Sequence, residues 1–423
     1  MKSLRVASLM LAMSLGSNAK ADPPNVIYET LMQDILINAD YWTTKPQILS
    51  ASLGFTQILG VPNLSTSEEG QAANAQFGGA WEVLSTTNPN PNLRAYTSSA
   101  TPYGMYIGYD VDIVGAGGFP VVFSWPVLPS TVDGSDFEVT LNTGERIIAD
   151  GASITPNSEY NERSTVVIVS QKFGNRITPG YPGAVYPVRL KIVRDATPLT
   201  LVGPGGQTKL AVGFTYGNSI KPLTGYYAGP TLCAAKLSVL STEGEGAPAF
   251  FSGNTPNDGA ALYGNKAQYR LRVLTTGGFS PDGVRSLYPT EFESFFQVEV
   301  RDLDGRRILL TETDKTYKLK AGSIRILGLA DLSVAQASYD DSYVEDHDNQ
   351  IDIILQGDEA VMKRIKYVLV PSNKSHYKPF YNPGGPGNNP TPGVVYTKPS
   401  SFIKQAVTIA IKDPMTVSYG SLP

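Results

Sequence analysis

Roughly a quarter of the way along the chain, the apolar positions change their period. In "NVIYETLMQDILINADYW", Ile27, Leu31, Ile35 and Leu36 recur at helical spacing, which predicts a helix over residues 25–39. "SEEGQAANAQFGGAWEVL" opens on a good cap with acids in its first turn and predicts a second helix over residues 67–84. Beyond the loop "TTNPNPNLR" the period is two. "YGMYIGYDVDIVG", "FPVVFSWPVL", "DFEVTLNTGERII" and "STVVIVSQKFG" read as strands between Gly, Asp and Pro clusters. "AKLSVL", "QYRLRVL", "FFQVEVRD", "RRILLTE", "SIRILGLA", "IDIILQG", "IKYVLVP" and "AVTIAIKD" continue the pattern to the C-terminal end. Asn142-Thr143-Gly144 and Asp304-Gly305 lie between apolar runs and read as hairpin turns.

The expected fold is therefore mainly β: antiparallel sandwich- or barrel-like sheets with a short N-terminal helical segment. "ATPLTLVGPGGQTK" offers a boundary near residue 200. It divides a helical N-terminal segment (22–95) and a sandwich-like region (96–200) from a second β region (201–423).

Residues 1–21 stand apart from this pattern. Lys2 and Arg5 precede the apolar run Val6 to Leu15, and Ala19-Lys20-Ala21 supplies small residues for a signal peptidase. The run is too short to span a bilayer, which takes about 20 apolar residues. Cleavage after Ala21 is expected, giving an exported, secreted or periplasmic chain with no membrane anchor. Losing Lys2, Arg5 and Lys20 takes the formal charge from -4 to -7. With no basic run, that sign argues against a nucleic-acid partner.

One cysteine, Cys233, excludes an intramolecular disulfide, and its apolar surroundings suggest an inert core thiol. Two histidines and one cysteine are too few for an ordinary zinc site.

Two loops carry the candidate chemistry. The acidic loop at 339–352 gathers Asp340, Asp341, Glu345, Asp346, Asp348 and Asp352. So many carboxylates repel one another unless a hard cation neutralises them, and calcium, with its six to eight oxygen ligands, suits that role. The alternatives are a solvated acidic loop and a catalytic carboxylate cluster. Asp352 is the unusual member: it lies inside the apolar strand "QIDIIL", where a carboxylate needs a cation, a hydrogen-bond network or solvent. The Pro/Gly-rich loop at 371–399 interleaves His376, Tyr377, Tyr381 and Tyr396 and is the expected ligand-binding surface.

Tyr faces stack on sugars, so an extracellular carbohydrate is the expected ligand. The alternative function is a secreted hydrolase of a polymer or ester. It would use carboxylate acid/base residues, with Glu291 and Glu293 as candidates and Thr290 to Glu293 as a capping box. Glu159, Glu162 and Arg163 read as local ion pairing at the entrance to a strand.

Overall fold

The computed structural model describes residues 25–51, 55–79, 82–83, 95–96, 99–155, 157, 159–177, 181–217, 232–241, 246–248, 258–276, 287–332, 335–336, 342–343, 349–371 and 403–420. Its architecture is mainly antiparallel β, arranged as two sandwiches.

In the first, a five-stranded sheet is centred on Ala116–Phe123, which pairs with Ile48–Ala51, Phe55–Leu59 and Thr165–Ser170. A four-stranded sheet faces it, with Pro187–Ile192 between Phe137–Leu141 and Thr215–Gly217. Strand alternation sends Phe119, Val121, Phe123, Val166 and Ile168 from one sheet, and Phe137, Val139, Leu190 and Ile192 from the other, into a shared core.

The second sandwich packs a six-stranded sheet on another of four strands. The larger runs in the order Tyr317–Leu319, Gly322–Ala330, Gln350–Gly357, Tyr269–Thr275, Leu232–Val239, Thr408–Ile409, and only its last pairing is parallel. The smaller runs Arg307–Leu310, Gln297–Arg301, Ile365–Val370, Ile403–Ala406. Leu237, Leu271, Val273, Ile326, Ile351 and Ile353 meet Val298, Val300, Leu310, Val368 and Val370 between them.

Gly144 and Gly305 take positive φ (88° and 81°) at the two hairpin turns, as the sequence predicts. The first helix is shorter than its periodicity suggests. Val26–Leu31 is helical, but Leu36–Asp40 is a strand paired with Thr416–Tyr419. Asn38 has φ of 49°, and a partner strand from the far end of the chain outweighs local propensity. The second helix is also shorter than expected: it spans Glu68–Gln76, and Glu82–Val83 is a strand, but Ser67 caps it as expected, its hydroxyl accepting the Gly70 N–H at 3.1 Å. "YGMYIGY" is helix rather than strand. Thr101 caps it through the Gly104 N–H at 2.9 Å, Pro102 opens its first turn, and Asp110 ends it in the left-handed region. No helix among the described residues is long and apolar enough to cross a membrane.

Candidate metal centre in a buried ionic cluster

The six-stranded sheet is buried on both faces. Ala235, Leu237, Leu271, Val273, Ile351 and Ile353 point into the second core. By the period of two, Lys236, Arg270, Arg272, Gln350 and Asp352 stand on the opposite face, turned towards the first sandwich. All five are buried. Register sets Arg272 directly across from Asp352 on one side and from Lys236 on the other.

Arg272 is the hub, with no exposed surface. Its Nε and Nη2 donate to the two oxygens of Asp352 at 2.7 and 3.0 Å, a bidentate pair. Nη1 reaches Asp40 at 2.9 Å and Glu162 at 2.8 Å, and Nη2 also binds Asp331. Asp331 leaves its strand at φ of 60°, a conformation that Asp tolerates better than most residues. One guanidinium thus gathers four carboxylates from both sandwiches.

Lys236 pairs with Asp40 and donates to the carbonyls of Pro414 and Met415 at 2.8 and 2.7 Å. The rings of Tyr41 and Trp42 flank its ammonium. Arg270 Nη2 lies 3.6 Å from Asp40. Burial alone would raise the pKa of Asp40, but Lys236, Arg270 and Arg272 outweigh it and hold the carboxyl at about 2. Burial pushes the Lys236 ammonium down to about 8 against the pull of Asp40, so both groups are charged at neutral pH.

Glu159, Glu162 and Asp331 each place a carboxylate oxygen within 4.8 Å of the others, a triad able to hold a metal ion. With Asp40 and Asp352 they bring carboxylates from both sandwiches close to Lys236, Arg270 and Arg272.

Asp352 therefore finds the cation its position demands, and that cation is Arg272. Asp340, Asp341, Glu345, Asp346 and Asp348 lie outside the described residues, as do His376, Tyr377, Tyr381 and Tyr396. Glu162 reaches beyond its own strand entrance: it pairs with Arg272, on a strand of the other sandwich. Sequence gives little warning of this, because a polar face on an alternating strand normally meets water. The available signal was charge of both signs on that face, in "AKLSVL", "QYRLRVL" and "QIDIIL".

Glu291 and Glu293 serve the backbone. Glu291 accepts the Tyr288 N–H at 2.8 Å, and Glu293 accepts the Thr313 N–H and hydroxyl, both at 2.8 Å. The cap before the short helix Phe292–Phe295 thus runs from Tyr288 to Glu291, two residues earlier than the expected Thr290–Glu293 box. Cys233 packs beside Trp42, Val122 and Leu274, half-buried rather than fully enclosed. Burial still pushes its thiol pKa up to about 12.

No protein-family profile matches this chain, no curated protein is similar to it, and no solved structure matches its fold.

Proposed function

We propose that the protein is a non-enzymatic, exported carbohydrate-binding protein whose two β-sandwiches are clamped together by an ionic cluster that calcium completes. The observation that carries the calcium reading is the triad of Glu159, Glu162 and Asp331, whose carboxylate oxygens lie within 4.8 Å of one another. A divalent cation would offset the repulsion among them. An all-carboxylate donor set suits a hard ion such as calcium over zinc or copper. The carbohydrate part rests on the aromatic residues of the 371–399 loop and on the export signal.

A cation held by residues from both sandwiches would stiffen the surface they jointly present, which is a binding scaffold's requirement. The enclosed carboxylates favour this over hydrolysis. Asp40, beside Arg272, is held well below the usual carboxylate range by Lys236, Arg270 and Arg272 despite its burial, whereas general acid catalysis needs a proton poised for release near neutral pH.

Calcium titration followed by thermal melting tests the proposal. Binding to the folded state alone stabilises it by about 2.7 kcal/mol at a hundredfold excess over Kd. The expected result is a melting temperature that rises with calcium and falls with chelator. Glu159→Gln with Glu162→Gln should abolish that response. A wild-type melting curve unmoved by calcium and chelator overturns the reading.

A further inference from the structure

The outer face of the smaller sheet in the second sandwich carries charge of the opposite sign to the chain. Val298, Val300, Leu310, Ile365, Val368 and Val370 occupy its inner side. Glu299, Arg301, Arg307, Tyr367 and Lys404 therefore share the other side, with Arg301 opposite Arg307 and Glu299 opposite Tyr367 in register.

Glu299 is fully buried under three cations from three strands. Arg301 reaches it at 2.9 Å, Arg307 at 2.8 Å and Lys404 at 3.6 Å. The cations themselves are only partly covered, with 41%, 50% and 41% of their side chains exposed. Arg307 commits only its Nε, so its Nη donors have no partner among the described residues. Lys404 lies over the Tyr367 ring, 3.5 Å from its centre.

Like charges opposite one another in a sheet are unfavourable, and Glu299 neutralises only one of the three. A net charge of about +2 remains on a chain whose total is -4. At the adjoining turn, Arg306 and Lys320 find Asp302 and Asp304 and add no further excess.

We propose that this face binds a carboxylated polysaccharide. The inference rests on the carbohydrate-binding reading above and names the class of glycan. Two features select it. The half-free Arg307 fork matches the planar geometry of a carboxylate, which a neutral sugar lacks. Tyr367, with Lys404 above it, places an aromatic surface within the charged row, where a sugar ring can pack beside the ion contact.

Calorimetry with polygalacturonate tests this in the presence of chelator, at low and high salt. Dextran serves as the neutral polymer, and phosphatidylglycerol vesicles as an anion of another kind. Polygalacturonate should bind at low salt and lose about tenfold or more in affinity at high salt, where surface attraction is screened. Arg307→Ala and Lys404→Ala should each weaken it about fivefold or more, as expected for the loss of one charge-assisted contact. Lys209→Ala, on the exposed hairpin Thr200–Leu210, should leave it unchanged.

Lys404 sits on an edge strand, so its variant carries the test even if removing Arg307 disturbs folding. No binding of polygalacturonate, equal binding of dextran, affinity unchanged in the Lys404 variant, or tighter binding to the vesicles would each overturn the proposal. With chelator present throughout, a negative result leaves the calcium response standing, and a missing calcium response leaves this result intact.

Discussion

Replacing Arg272 by Met keeps most of its volume and removes the charge that Asp40, Glu162, Asp331 and Asp352 share. Asp40 retains Lys236 and Arg270, and Asp352 retains only the distant Arg270 contact at 3.9 Å. Stripping one partner from a buried ion pair costs about 3–5 kcal/mol, chiefly because a desolvated charge is left behind. At about 2–4 °C per kcal/mol for a cooperative unit of 150–250 residues, melting should fall by roughly 6–20 °C. Arg272→Lys should fall between wild type and Met, since a single ammonium cannot fork to Asp352 while touching Asp40 and Glu162.

Acid supplies a second readout for the same variant. Carboxylates stranded in the variant have folded-state pKa values raised above their unfolded ones, so they cost stability that is recovered as pH falls and they protonate. The gap between wild type and Arg272→Met should therefore narrow between pH 7 and pH 5. Differential scanning calorimetry measures both effects. A melting temperature within about 2 °C of wild type, or a gap that widens in acid, would refute the account of Arg272 as the hub.

Asp40 has the opposite sign: its folded pKa of about 2 lies below the ordinary value of 3.8. Its contribution is present above about pH 4 and lost as pH falls towards 2, so wild type should shed stability across that window. Asp40→Asn should be less stable at neutral pH and flatter in acid; equal slopes would assign the loss to other groups. Cys233, with its thiol near 12, should react with a thiol reagent at pH 8 orders of magnitude more slowly than a free cysteine, whose pKa is about 8.5. Labelling of native protein at the denatured rate would contradict that.

The strands of the second sandwich were legible because alternation and turn chemistry agree there, as at Asp304-Gly305. "LINAD" and "YGMYIGY" were misread for opposite reasons. The first yields to a partner some 380 residues away, as the Asn38–Ser418 hydrogen bond illustrates, and no local window contains that partner. The second was governed by Thr101 and Pro102, a local start signal that the Tyr and Ile alternation obscured. The need of Asp352 for a cation was legible from its place in an apolar strand. Which cation was not, because sequence does not reveal that the polar side of the Tyr269–Thr275 strand meets protein instead of water.

The pairing of Leu36–Asp40 with Thr416–Tyr419 also fixes an order of events. A ribosome delivers the first of these strands long before the second exists, and Lys236 likewise waits for the carbonyls of Pro414 and Met415. Neither can be satisfied until the chain has been made through Tyr419. This non-local seam therefore closes late, and its loop-closure entropy must be met before any contact offsets it. A chain that stops at Lys412 would carry an orphaned edge strand and a buried ammonium lacking two of its acceptors, leaving it open to proteases that the longer chain resists.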